Sequence, residues 1–156
     1  MSEVIKSGKR VQEYAYQSSS AQIYNSIRLQ VPNETELKGP GGRVHVIDVI
    51  PGKIITGRAV LDAATRGVAH LSVIERYGNG TPPANGYVRG FGENFQGAIS
   101  SSVGHDSHNV ICVGNNTKDM QAAVAHLQSL GGGFVVCKDG AVLADLALPF
   151  GGLMTF

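Results

Sequence analysis

His105 and His108 stand three positions apart in a short polar block, His105-Asp106-Ser107-His108-Asn109, set between two apolar stretches. The small or apolar run Gly97–Gly104 leads into it, and Val110-Ile111-Cys112-Val113 leads out. Imidazole, carboxylate, hydroxyl and amide at the mouth of buried strands each need a partner, so this block is the candidate site. Three chemistries are open to it. Two imidazoles at this spacing can converge on one cation, with a third ligand from elsewhere. Glu75 is the first choice because it closes a strongly apolar strand, Asp106 is the second, and Arg76 could instead be the partner of Glu75. The candidate metal ligands are therefore His105, His108 and Glu75, for a divalent transition metal such as manganese, iron or zinc. Without metal, His105 or His108 serves as general acid or base near neutral pH, tuned by Asp106 or Glu75. Ser101, Ser102, Ser107, Asn109 and Arg76 would then hold a polar substrate. A nucleophilic serine among Ser100, Ser101 and Ser102 is the third chemistry. It needs a remote acid, since adjacent His105 and Asp106 should point apart, and no Gly-x-Ser-x-Gly elbow is present. Against all three stands a purely structural role, in which these side chains satisfy one another in a buried turn.

The elements that must position the block read as strands. Arg43–Ile50 places Val44, Val46 and Ile50 on one face, Pro51-Gly52 turns, and Lys53–Thr56 returns as a hairpin. Val68–Glu75 is a second strong strand, Asn79–Gly86 a loop, and Tyr87–Gly92 a short glycine-broken segment. Ala98–Ser102 and Val110–Val113 flank the block. Met120, Ala123, Val124, Leu127 and Leu130 recur at helical spacing behind an N-cap at Asn116 or Thr117, which predicts one helix over 116–130. Gly131-Gly132-Gly133 ends it, and Asp139-Gly140 joins two further strands in a tight hairpin. The expected fold is an α+β, strand-rich single domain over residues 41–156. Residues 1–40 are expected to be an irregular segment packing on it, with Ile23, Ile27 and Val31 spaced for one face of a short helix.

Composition narrows the function. The chain has 156 residues, 42% hydrophobic and 16% charged, with net charge +1, enough for one domain with a proper core. So little charge leaves room for a sizeable interface, in a homo-oligomer or against another domain. The 13 Lys and Arg residues form no stripe and no Trp is present, which argues against nucleic acid. Met1–Arg10 lacks an apolar core and no run approaches a membrane span, so neither membrane nor export is expected and the cytoplasm is the default. Cys112 and Cys137 sit in apolar runs as small buried hydrophobes. The glycine runs at 39–42 and 131–133 do not open helices, so no nucleotide cofactor is expected. His45 and His70 read as strand histidines, and His126 as solvated.

Ser101-Ser102-Val103-Gly104-His105-Asp106-Ser107-His108-Asn109-Val110-Ile111 closely resembles the signature of the C-terminal domain of bacterial adenine deaminases, members of the amidohydrolase superfamily. Val49–Thr56, Val73–Arg76, Gly90–Gly92, Gly131–Gly133, Lys138–Gly140, Leu148-Pro149 and Gly152–Met154 agree in order, so the likeness runs from Gly8 to Met154. Two positions depart: Tyr77 stands where the family tends to have histidine, and Gly104 replaces a usual alanine. The resemblance implies hydrolytic deamination of adenine to hypoxanthine, a purine-like small-molecule substrate, and a metal-binding barrel ahead of this domain. A (β/α)₈ barrel typically needs about 250 residues, and this chain has no His-x-His pair, so the family's dinuclear metal ligands have no counterpart in it. The expectation is a domain that lines or closes the pocket of a metal-dependent amidohydrolase, with little adenine deaminase activity alone. The rivals are a free-standing small enzyme acting on another cyclic or nitrogenous substrate through His105, His108 and Glu75, and a non-catalytic ligand-binding or assembly module.

Overall fold

The apolar strand Val68–Ile74 (β5) lies near the middle of an eight-stranded sheet, with β8 (Val110–Gly114) on one side and β6 (Ala84–Arg89) on the other. The computed structural model describes residues 3–7, 9–13, 23–24 and 26–155. With β3 (Arg43–Asp48), β4 (Gly57–Asp62), β7 (Ala98–Ser101), β9 (Gly133–Lys138) and β10 (Ala141–Ala147), the strand order is β10-β9-β7-β8-β5-β6-β3-β4. Every neighbouring pair is antiparallel except β3 and β6. That parallel seam has only three register pairs, Val46↔Tyr87, Ile47↔Val88 and Asp48↔Arg89. It is reinforced by Val49 N–H donating to Arg89 O at 2.8 Å and by the Arg89 guanidinium gripping both Asp48 oxygens at 2.7 and 2.9 Å.

One helix is present among the described residues, α1 (Thr117–Ser129), capped by the Asn116 side chain accepting from Asp119 N–H at 2.8 Å. Met120, Ala123, Val124 and Leu127 are fully buried against Ala98, Val110, Cys112, Val135 and Cys137 of one sheet face. The larger of these side chains each contribute roughly 1.5–3 kcal/mol. The thiols are free and buried, with Cys112 pushed up to about 12 by its desolvation. Between β9 and β10, Asp139 (φ 54°) and Gly140 (φ 76°) both take the left-handed conformation that a two-residue hairpin demands. The α+β architecture, the helix and this hairpin match the sequence expectation.

Three expectations change. Part of the supposedly irregular N-terminal segment is a hairpin, β1 (Glu3–Lys6) with β2 (Lys9–Glu13). No helix carries Ile27 and Val31. Ile27 and Leu29 are both buried and Val31 packs beside them, so the segment is extended and buries alternate residues. The partner of β3 is Gly57–Asp62 rather than Lys53–Thr56, and Ile54 and Ile55 stand at 104% and 72% exposure in the connecting loop.

Asp119 is a buried carboxylate the sequence did not single out. It accepts from Gly140 N–H at 2.7 Å, from Asp139 N–H at 3.3 Å and from the Asn116 amide at 2.8 Å, tying the helix start to the β9–β10 turn. Burial alone would raise its pKa, but these bonds and Lys118 together hold it below the ordinary value. A depressed folded-state pKa stabilises above the unfolded value, about 3.9, and that stabilisation is lost as pH falls through the folded pKa. Asp119→Asn is therefore expected to cost about 1–3 kcal/mol at neutral pH and to flatten the acid limb of the stability curve below about pH 4. Urea unfolding at pH 7 and pH 3 tests this; an unchanged acid limb counts against it.

Candidate functional site

The site lies where β5 ends, β8 begins and β7 ends. Ile74 pairs with Val110 and Ser101 with Ile111, so Glu75-Arg76-Tyr77 and the 102–109 turn emerge side by side. Arg76, only 4% exposed, fixes the turn. Its Nη1 donates to His108 O at 3.2 Å, and its Nη2 to Ser26 Oγ at 2.9 Å and Gly151 O at 2.6 Å. Burial pulls its pKa below the usual guanidinium value, and its Nε finds no partner among the described residues. Tyr77 adds a second tether, its hydroxyl donating to Ser107 O at 2.6 Å.

Glu75 faces its own chain. One carboxylate oxygen accepts from Tyr77 N–H and from the Asn79 amide at 3.2 Å, and the other accepts from Asn79 N–H at 2.8 Å. Its burial cost is met by that turn, not by a cation. Among the described residues no three His, Cys, Asp or Glu side chains are placed to hold a metal ion. The His105, His108 and Glu75 set is thus not assembled, and a metal does not fit these residues as they stand.

His105 and Asp106 project from the turn at 91% and 83% exposure, with His105 Nδ1 against Asp106 Oδ1. They were expected to point apart, but the turn folds the neighbouring side chains together. His108, at φ 52°, is drawn back by its N–H to Gly104 O at 2.5 Å. Its Nδ1 and the Oδ1 of Asn109 are buried and unpartnered among the described residues, a cost of about 1–3 kcal/mol each. Ser107 is exposed. Ser101 Oγ accepts from Val103 N–H at 3.0 Å.

Two residues assigned to substrate are structural. Ser102 is fully buried, accepting from Gly133 N–H at 2.7 Å and donating to Gly152 O at 2.5 Å, so no substrate reaches it. Arg76 is equally enclosed and acts on the main chain. Sequence reasoning did not find Ser26, Gly151 or the tether from Tyr77; the departure at Tyr77 was the one visible signal. His126, expected to be solvated, lies 2.8 Å from Asp145. Cavities of about 120 Å³ beside Glu75 and Gly80–Pro83, and about 300 Å³ around His70, Tyr87 and Phe95, do not include His105 or His108. In this chain the histidine turn is a displayed surface, not an enclosed pocket.

Residues 50–156 match the family model described as the adenine deaminase C-terminal domain. Adenine deaminase of Shewanella halifaxensis is 43% identical over 150 residues, covering 92% of this chain and 25% of that protein. That of Gluconobacter oxydans is 40% identical over 171 residues, covering 99% and 30%, and that of Geobacillus kaustophilus 40% over 156 residues, covering 92% and 27%. The chain spans between a quarter and a third of the length of the curated relatives it matches. Its ordered motifs, its α+β sheet and these matches agree: the chain belongs to the adenine deaminase C-terminal domain family.

Proposed function

We propose that this domain serves the hydrolytic deamination of adenine to hypoxanthine, as the C-terminal part of, or a partner to, a metal-dependent amidohydrolase whose purine pocket it helps to wall. The observation that carries this reading is the exposed His105–Asp106 pair on a turn anchored by Arg76 and Tyr77. A side chain that meets a ligand borne by another domain must project and yet be held in place. The reaction forms a C–O bond from water at the amino-bearing carbon and breaks the C–N bond, releasing ammonia. It needs proton transfer to a ring nitrogen and to the leaving nitrogen. His105, with its Nδ1 against Asp106, is placed to carry such a proton, and Ser107 to hold a polar ring edge. The metal that activates water belongs, by resemblance, to the barrel. A self-sufficient metal enzyme is disfavoured by Glu75, which is committed to Tyr77 and Asn79.

The test replaces the matching quarter of the Shewanella halifaxensis adenine deaminase with this chain and follows ammonia release from adenine. The chimaera is expected to turn over, while the isolated chain stays at background. His105→Ala in the chimaera is expected to lower kcat/KM about 10²-fold without altering its thermal unfolding. An unchanged kcat/KM in that variant, or turnover by the isolated chain, overturns the reading.

A further inference from the structure

The helix packs on β7 to β10 on one face of the sheet; the other face is apolar and, among the described residues, partly uncovered. One cross-strand row there runs Leu146–Phe134–Ser101–Ile111–Val73–Ala84, each paired with the next. The neighbouring row carries Val136, Ile99, Val113 and Leu71. Neither row holds a charge. Leu146 is 51% exposed and Phe134 41%, and Val103, two residues past Ser101, is also exposed. A solvated antiparallel face alternates to polar residues; this one does not. At the far end, Phe95 packs over Ala69, Val88 and Val113, with the Phe91 ring tilted against it, centroids 5.5 Å apart. The end left uncovered is the one next to the His105–Asn109 turn.

We infer that this helix-free face is the surface on which the remainder of an adenine deaminase packs, with the His105 turn at the rim of the interface. The family is named for the C-terminal position of this domain, and roughly three-quarters of each relative's length lies outside the match. A linked domain of that size is an occupant to hand, and an uncharged sheet face suits an apolar helical layer. Six strands at about 4.8 Å spacing make the row roughly 24 Å wide, room for two helices. Packing there carries the projecting His105 and Asp106 toward the partner. The inference rests on the reading that a further domain works with this chain, and not on the chemistry given to His105.

The experiment places single cysteines at Leu146 and Ala84 on this face, and at Ala125 on the outward side of α1 as a control. Labelling by a maleimide is timed in the isolated chain and in the Shewanella halifaxensis chimaera, with the modified peptides identified by mass. The native thiols are fully buried and stay silent. Leu146→Cys and Ala84→Cys are expected to react freely in the isolated chain and at least about tenfold slower in the chimaera, with Ala125→Cys alike in both. Equal rates in the two proteins overturn the proposal. So does protection within an isolated chain that sediments as a dimer, which assigns the face to a second copy. A second measurement does not need the chimaera: Phe134→Ser in the isolated chain is expected to shift Tm by less than about 3 °C. A drop beyond about 10 °C would mean that the face is already internal, which also overturns the proposal. Adenine turnover separates the two readings: protection without turnover keeps the docking face and removes the deaminase assignment, and turnover without protection does the reverse.

Discussion

Gly133→Ala is expected to cost more than about 4 kcal/mol and to lower Tm by about 10 °C or more. Gly133 opens β9 at φ +142°, a region L side chains rarely adopt, which alone costs about 1–3 kcal/mol. The larger effect is contact. An added methyl would sit 1.9 Å from Leu146 O, 3.0 Å from Leu146 C and 3.2 Å from Leu148 N. These are main-chain atoms of the adjoining strand, so relief requires parting the Ala147↔Gly133 end of the ladder. The same shift would release Ser102, whose hydroxyl accepts from Gly133 N–H and whose own N–H donates to Gly133 O at 3.0 Å. A domain stable by about 5–15 kcal/mol cannot absorb this comfortably. Gly41→Ala is the contrast: the new methyl meets nothing within 4 Å, and a change within about 0.5 kcal/mol follows. Thermal and urea unfolding of both variants settle the matter; equal stability would show that the strand yields where the packing says it cannot.

Arg76→Ala is the second large effect, expected at about 2–4 kcal/mol. Two opposing effects set its sign. Removing a buried cation with no carboxylate partner among the described residues relieves desolvation, which favours the variant. Against that, His108 O, Gly151 O and Ser26 Oγ lose their donor inside the protein, and charge-assisted bonds are worth about 1.5–3 kcal/mol each. Three bonds outweigh one desolvation. Arg76→Lys keeps the charge but not the planar fork, so it is expected to recover less than half the loss. Amide exchange across 104–109 provides the specific readout, since the turn loses its main anchor and should exchange faster in both variants. A variant that unfolds at lower urea while the turn exchanges as before would show Arg76 to be a core residue only.

Much of the scaffold was legible because periodicity and burial coincide. The stripe from Met120 to Leu127 and the Asp139-Gly140 turn each have one physical solution, and the fold adopts both. β4 was not legible: Gly57–Asp62 alternates only between intermediate and exposed positions, so an edge strand there lacks the contrast of a half-buried one. The spacing of four through Ile23, Ile27 and Val31 suggests a helix, whereas the burial of Leu29 between Ile27 and Val31 shows a spacing of two and an extended chain. In the site, residue types located the right end of the sheet but could not divide roles within it. Whether Ser102 or Arg76 faces solvent depends on Gly133, Gly151 and Ser26, which only the folded chain brings near. Glu75 is costly to leave unpaired, as its apolar strand implied, yet its partners are amides two and four residues ahead rather than a metal.

The parallel seam between β3 and β6 has a consequence for how the domain breathes. With three register pairs, parallel geometry and an Asp48–Arg89 grip at its solvent-reached end, it is the weakest join in an otherwise antiparallel ladder. If the sheet opens in part, the β3–β4 ribbon, which carries the bare Ile54-Ile55 tip, is the piece that would part first from the half built on β5 to β10, at the cost of the Val44, Val46 and Tyr87 cluster that spans the seam. Partial opening would begin on the side of the sheet remote from the histidine turn, leaving the candidate site intact until the whole domain comes apart.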